Sequence, residues 1–188
     1  MKPIAPTDVL WVRTLWIGAL VAVSAWLTAT YMCIVPFAAL GVAAAMTLSG
    51  RQALVCTTAV WLANQAAGFG FMGYPWTLNT IGWGAAIGVA AVGGTLAAQW
   101  LLRRLAGLRS SVQTAIAFVI AFGVYQSALY GAAVAVLGGT AAFAPGIIVQ
   151  VLGVNLAALV GLWGLNQLLT VAFSSYRRRV SAAPARFA

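Results

Sequence analysis

The chain contains no histidine and a single acidic residue, Asp8, among 188 positions. General acid–base catalysis, a Ser-His-Asp arrangement, a His or carboxylate metal site and a carboxylate proton relay each require residues that are missing. An enzyme is therefore not expected, and no cofactor is expected. Only two cysteines are present, Cys33 and Cys56. The spans assigned below place them near opposite membrane faces, which excludes a disulfide between them and leaves no metal-ligand spacing. Charge is also scarce, at 6% of residues.

What is abundant is apolar surface. Hydrophobic residues make up 63% of the chain and the mean hydropathy is +1.00, more than a soluble domain of this size could hide from water. The fold class expected is all-α, a polytopic membrane protein made of one bundle of transmembrane helices. No small-residue cleavage site separates the N-terminal segment from a soluble domain, so the first apolar run is read as a retained helix.

Six spans account for the apolar sequence, at about residues 14–30, 33–49, 52–70, 79–101, 111–136 and 146–173, each near the ~20 residues that cross ~30 Å of hydrocarbon. Arg13 and Arg51 confine the first two spans tightly. The turn between them, near Tyr31–Pro36, must then be short or partly submerged. This division puts all ten Lys and Arg on one side of the membrane. Lys2 and Arg13 precede span one, Arg51 follows span two, and Arg103, Arg104 and Arg109 lie between spans four and five. Arg177, Arg178, Arg179 and Arg186 fall in a basic tail over residues 174–188. By the positive-inside rule both termini are cytoplasmic, in a bacterial inner membrane, and the net charge of +9 reads as a topology signal and not as a nucleic-acid surface. The three opposite connections carry no charge and one proline each, Pro36, Pro75 and Pro145.

Small residues mark the helix faces that approach closely in lipid. Gly18, Ala22, Ala25 and Ala29 form a stripe on span one, which reads either as internal packing or as the docking face of a partner helix. Span four offers Gly84 and Gly88, then Gly93-Gly94.

One stretch stands apart, Trp61–Gly84, WLANQAAGFGFMGYPWTLNTIGWG. It gathers Asn64, Gln65, Asn79, three Trp, Tyr74 and several glycines around Tyr74-Pro75. A carboxamide in hydrocarbon without a partner costs on the order of a few kcal/mol, so these groups must face a helix, a cavity or a ligand. With the topology above, Asn64, Gln65, Asn79, Trp83, Gln126, Tyr130 and Asn155 all fall in the outer half of the membrane or at middle depth. Carboxamides and phenols both donate and accept, which suits a neutral polar small molecule in an aromatic pocket. The same groups also serve as hydrogen bonds between helices. Gly68, Gly70 and Gly73 suit either a loop that closes over a pocket or a plain turn. Cys33 is an apolar filler or a soft ligand to a metal carried within a bound molecule.

Six helices in this length, cytoplasmic termini, the stripe on the first helix and an outward-facing neutral pocket together resemble the substrate-binding S-component of energy-coupling factor vitamin transporters. The resemblance covers the whole chain in architecture. It implies that Ala25 and Ala29, extended by Gly18 and Ala22, pack against a transmembrane coupling subunit. It also implies capture of a vitamin or metal-related nutrient, with ATPase subunits supplying energy, since no ATP-binding motif is present. A branch of solitary cobalamin transporters similar to S-components coordinates cobalt through a cysteine; if the chain resembles that branch, Cys33, on the outer side where substrate arrives, is the candidate. Three readings follow: an uptake component with a pocket of Asn64, Gln65, Tyr74, Asn79, Trp83, Gln126, Tyr130 and Asn155; an accessory or assembly subunit of a larger membrane complex; and a lipid- or quinone-binding protein.

Overall fold

The computed structural model describes Gly18 and residues 35–181, with side chains described as far as residue 168. The first span, the stripe positions Ala22, Ala25 and Ala29, and Cys33 lie outside the described residues. Gly18 is exposed with open space where a Cβ would stand.

Among the described residues the chain is helical throughout. The elements are α1 (Phe37–Thr47), α2 (Gly50–Gly70), α3 (Leu78–Arg104), α4 (Ser110–Ala132) and α5 (Pro145–Ser181). Between α4 and α5 come a π-helical stretch, Ala133–Leu137, and a 3-10 turn, Thr140–Phe143. Three stretches are long and apolar enough to cross a membrane: Leu78–Arg104, Ser110–Leu137 and Pro145–Leu168. The protein is a helical membrane protein. α2 has the length, 21 residues, or about 31 Å at 1.5 Å per residue. Its apolar character is diluted by Arg51, Gln52, Asn64 and Gln65.

The second expected span, residues 33–49, is corrected to an 11-residue helix. At about 16 Å it covers half the hydrocarbon thickness. Pro36 at its N-cap has no N–H to donate, and Leu48 turns extended at its end. Every residue from Val35 to Ala44 is buried, and α1 packs against all four other helices. An all-round apolar helix is satisfied by protein instead of lipid in this position. Of the expected turn near residues 31–36, Val35 and Pro36 are described, and both are buried in the protein. The last helix also outruns its expected end, because Arg177–Arg179 continue α5 instead of starting a separate tail.

The helix ends follow local chemistry. Only Leu48 and Ser49 separate α1 from α2, and Ser49 N–H and Oγ–H both donate to Gln52 Oε1, at 3.2 and 2.9 Å. Thr77 Oγ1 accepts from Thr80 N–H at the start of α3. Pro145 opens α5, where a missing N–H costs nothing.

α2 and α3 run antiparallel and are joined by polar bonds along their length. Gln99 Nε2 donates to Gly50 O (2.9 Å), the Thr57 and Thr95 hydroxyls bond each other (3.0 Å), and Trp61 Nε1 donates to Gly84 O (2.8 Å). The glycines of α3 make room for α2. A Cβ on Gly84 would stand 2.5 Å from Gln65 Oε1, and one on Gly88 2.6 Å from the Trp61 indole. Gly94 does the same for α4, where a Cβ would stand 3.1 Å from Ala121 O. The internal-packing reading of these α3 glycines is what the geometry displays.

This register collects Arg51, Arg103, Arg104 and Arg109 at one end of the bundle. The loop over residues 71–77 and the segment 133–144 meet at the opposite end, arginine-free among the described residues, where Asn79 Nδ2 donates to Leu137 O (2.9 Å).

Candidate binding site at the arginine-free end

α3 and α4 enter the arginine-free end side by side, and the chain reverses there through Gly138 and Gly139. Both adopt positive φ, +73° and +79°, which side-chain-bearing residues rarely adopt. The reversal lays Leu137 against Gly82 and Gly139 against the Trp83 ring. It also brings Phe143 onto Tyr130, edge to face with centroids 5.3 Å apart. Trp83 and Phe143, each half-buried, pack on the same core group as Tyr125 and Leu129. Tyr130 remains half exposed. Gln126 sits one turn below Tyr130 on α4, half-buried, and makes no hydrogen bond to another described residue.

The remaining expected site residues are placed differently. Gln65 Nε2 donates to Asn64 Oδ1 (3.3 Å) while its Oε1 rests against Gly84. Tyr74 folds back so that its ring covers Gly68 and meets the edge of Phe69 at 6.0 Å. Phe69 in turn stacks on Trp76 at 4.5 Å. The loop over 71–77 is thus closed down on α2 by its own aromatics. Asn155 is fully buried: its Oδ1 accepts from Ala39 N–H (3.2 Å) and its Nδ2 donates to Val151 O (2.9 Å). It bonds backbone on both sides and borders no open space.

Of the eight expected residues, then, Asn79, Trp83 and Tyr130 lie at this end of α3 and α4, tied through Leu137, Gly139 and Phe143, and Gln126 lies one turn further from it on α4. Asn64, Gln65 and Tyr74 belong to α2 and its loop, and Asn155 belongs to the α1–α5 contact. Phe143 and the Gly138-Gly139 reversal complete the rim and were not among the expected residues. The paired glycines were the signal available for the reversal; Phe143, in an apolar segment, gave none. The rim can offer aromatic faces, one phenol and one amide to a neutral molecule, but no charged group. Among the described residues no three His, Cys, Asp or Glu gather in a way that could hold a metal ion. Compared with known protein families, curated proteins and solved structures, the chain matches none.

Proposed function

We propose that the protein is a substrate-capturing membrane component, taking up a small neutral or cofactor-like nutrient at its arginine-free end, with energy supplied by other chains. The observation that carries this reading is the aromatic group at this end, Tyr130 on Phe143 with Trp83 against the Gly139 turn, and Gln126 one turn from Tyr130 on the same helix. An apolar, aromatic surface with one placed donor and acceptor is the composition of a small-molecule site. The rim is held by a glycine reversal, Gly138-Gly139, whose backbone freedom suits a segment that shifts when a ligand enters. Coupling and ATPase subunits, and a bacterial inner membrane, belong to the same reading.

Native mass spectrometry of protein gently extracted from its own membrane tests it. A vitamin-sized molecule should leave with the wild type and be lost from Trp83→Ala and Gln126→Ala. Protein that arrives empty, with the rim intact, sinks the reading.

A second reading is an accessory subunit of a larger membrane complex. It is favoured by the polar bonds running from Gln99 to Trp61, since carboxamides and hydroxyls spread along a helix seam are what a scaffold needs. Co-extraction with subunits of a larger assembly, and no small molecule, would support it.

A further inference from the structure

We infer that the seam between α4 and α5 is the seat of an anionic phospholipid, with its phosphate at the arginine-bearing end and one acyl chain in the groove. Although consecutive in sequence, α4 and α5 do not close on each other: α5 packs mainly on α1. The gap they leave is a groove of about 440 Å³ with almost wholly apolar walls. Ala115, Phe118 and Val119 form one wall, and Leu152, Leu156 and Trp163 lie on the other.

Length decides what fits. The groove runs from Ser111 to Val119 on α4 and from Leu152 to Trp163 on α5, about 12 to 17 Å at 1.5 Å per residue. That is one leaflet of a ~30 Å hydrocarbon core. A lipid tail needs one leaflet.

Charge decides which lipid. Ser111, at the groove's end, is in the first turn of α4, whose N-cap Arg109 provides no side-chain cap. The free N–H groups and positive pole of the helix therefore lie at the same end as Arg109. Arg103 and Arg104 close α3 just before it and, like Arg109, are exposed. With Asp8 as the only acid in the chain, no carboxylate side chain among the described residues can neutralise them. A lipid phosphate supplies that anion, and it does so where a tail entering the groove would place it.

The test uses the full-length protein in bilayer nanodiscs of phosphatidylglycerol and phosphatidylcholine with matched acyl chains, read by native mass spectrometry. Wild type should retain one phosphatidylglycerol several-fold in preference to phosphatidylcholine. Arg109→Gln should abolish the preference while a tail is still held. Ala115→Phe, and independently Val160→Trp on the facing wall, should remove the retained lipid of either kind; both positions are exposed, so the fold tolerates the added bulk. Equal retention of the two lipids, or retention indifferent to both groove variants, would overturn the proposal. So would a dimer that Ala115→Phe dissociates, or a disulfide formed between Ala115→Cys and Ala25→Cys, since a second copy or the first span would then fill the groove.

Discussion

Asn155 Oδ1 accepts a hydrogen bond from Ala39 N–H across 116 positions of sequence, at 3.2 Å and with no exposure to solvent. Ala39 is the third residue of α1, whose N-cap is Pro36, a residue without a side-chain acceptor. One of the free N–H groups at the start of the central helix is therefore capped from α5 instead of from its own N-cap residue. Asn155→Leu keeps the volume and leaves that N–H unpaired, and should cost about 1–3 kcal/mol. Gln150→Ala, on the exposed side of the same helix, should cost little. Reversible unfolding in mixed micelles would measure both. Equal effects would mean that the bond contributes nothing specific.

The α2–α3 seam gives a steric prediction. Gly88→Ala places a methyl 2.6 Å from the Trp61 indole, whereas at Gly93 the same methyl meets Val124 at an ordinary 3.7 Å. Displacing the half-buried indole also breaks its bond to Gly84 O. Gly88→Ala is expected to destabilise by about 1–3 kcal/mol, the usual range for overpacking. Gly93→Ala should be neutral or slightly stabilising, because alanine is the better helix former. Unfolding midpoints of the two variants, compared side by side, decide it. Gly93→Ala falling as far as Gly88→Ala would show that the indole is not the obstacle.

These two cases also show what the sequence carried and what it did not. The GxxxG spacing of Gly84 and Gly88 announced a close helix approach, and the approach is there. The apolar run after Pro36 was legible as a helix but not as a central one, since a lipid-facing helix and one surrounded by protein read alike when both are apolar all round. The carboxamides were legible as groups needing partners. Their partners were not, because Asn155 and Gln99 bond backbone atoms 116 and 49 positions away, and such pairings follow from packing, not from spacing. The rim at the arginine-free end was half visible: Trp83 and Tyr130 by type and depth, the reversal only as a pair of glycines, and Phe143 not at all.

The hydroxyl pair in the middle of that seam tests how much polar bonds hold helices together here. Thr57 and Thr95 are both buried, and Thr95 Oγ1 also reaches Ala91 O in its own helix. A double-mutant cycle with Thr57→Val and Thr95→Val should give a coupling of about 0.6 kcal/mol, typical of such bonds in membrane helices. The second bond from Thr95 to its own helix keeps the value modest. A coupling near zero would assign the seam's stability to glycine packing alone.

Gly138 links the stability of the reversal to the rim. Its φ of +73° with ψ of −166° lies in a region open essentially to glycine alone. Gly138→Ala should cost about 1–3 kcal/mol, or force the segment into another path and separate Phe143 from Tyr130. Gly131→Ala, in α4 with open space around it, is the control. If a small molecule co-purifies with the wild type, its loss from Gly138→Ala but not from Gly131→Ala would tie capture to the reversal.

The sidedness of the bundle rests on charge and can be measured directly. Trp76 and Leu108 are both exposed and lie at opposite ends, in the loop before α3 and the loop after it. In a background with Cys33 and Cys56 replaced, Trp76→Cys should react with a membrane-impermeant maleimide added to intact cells. Leu108→Cys should react only after permeabilisation, as the positive-inside rule expects of a loop flanked by Arg103, Arg104 and Arg109. The reverse pattern would turn the aromatic rim toward the cytoplasm. A nutrient arriving from outside would then have no access to Trp83 and Tyr130, and the capture reading would fail even with the fold unchanged.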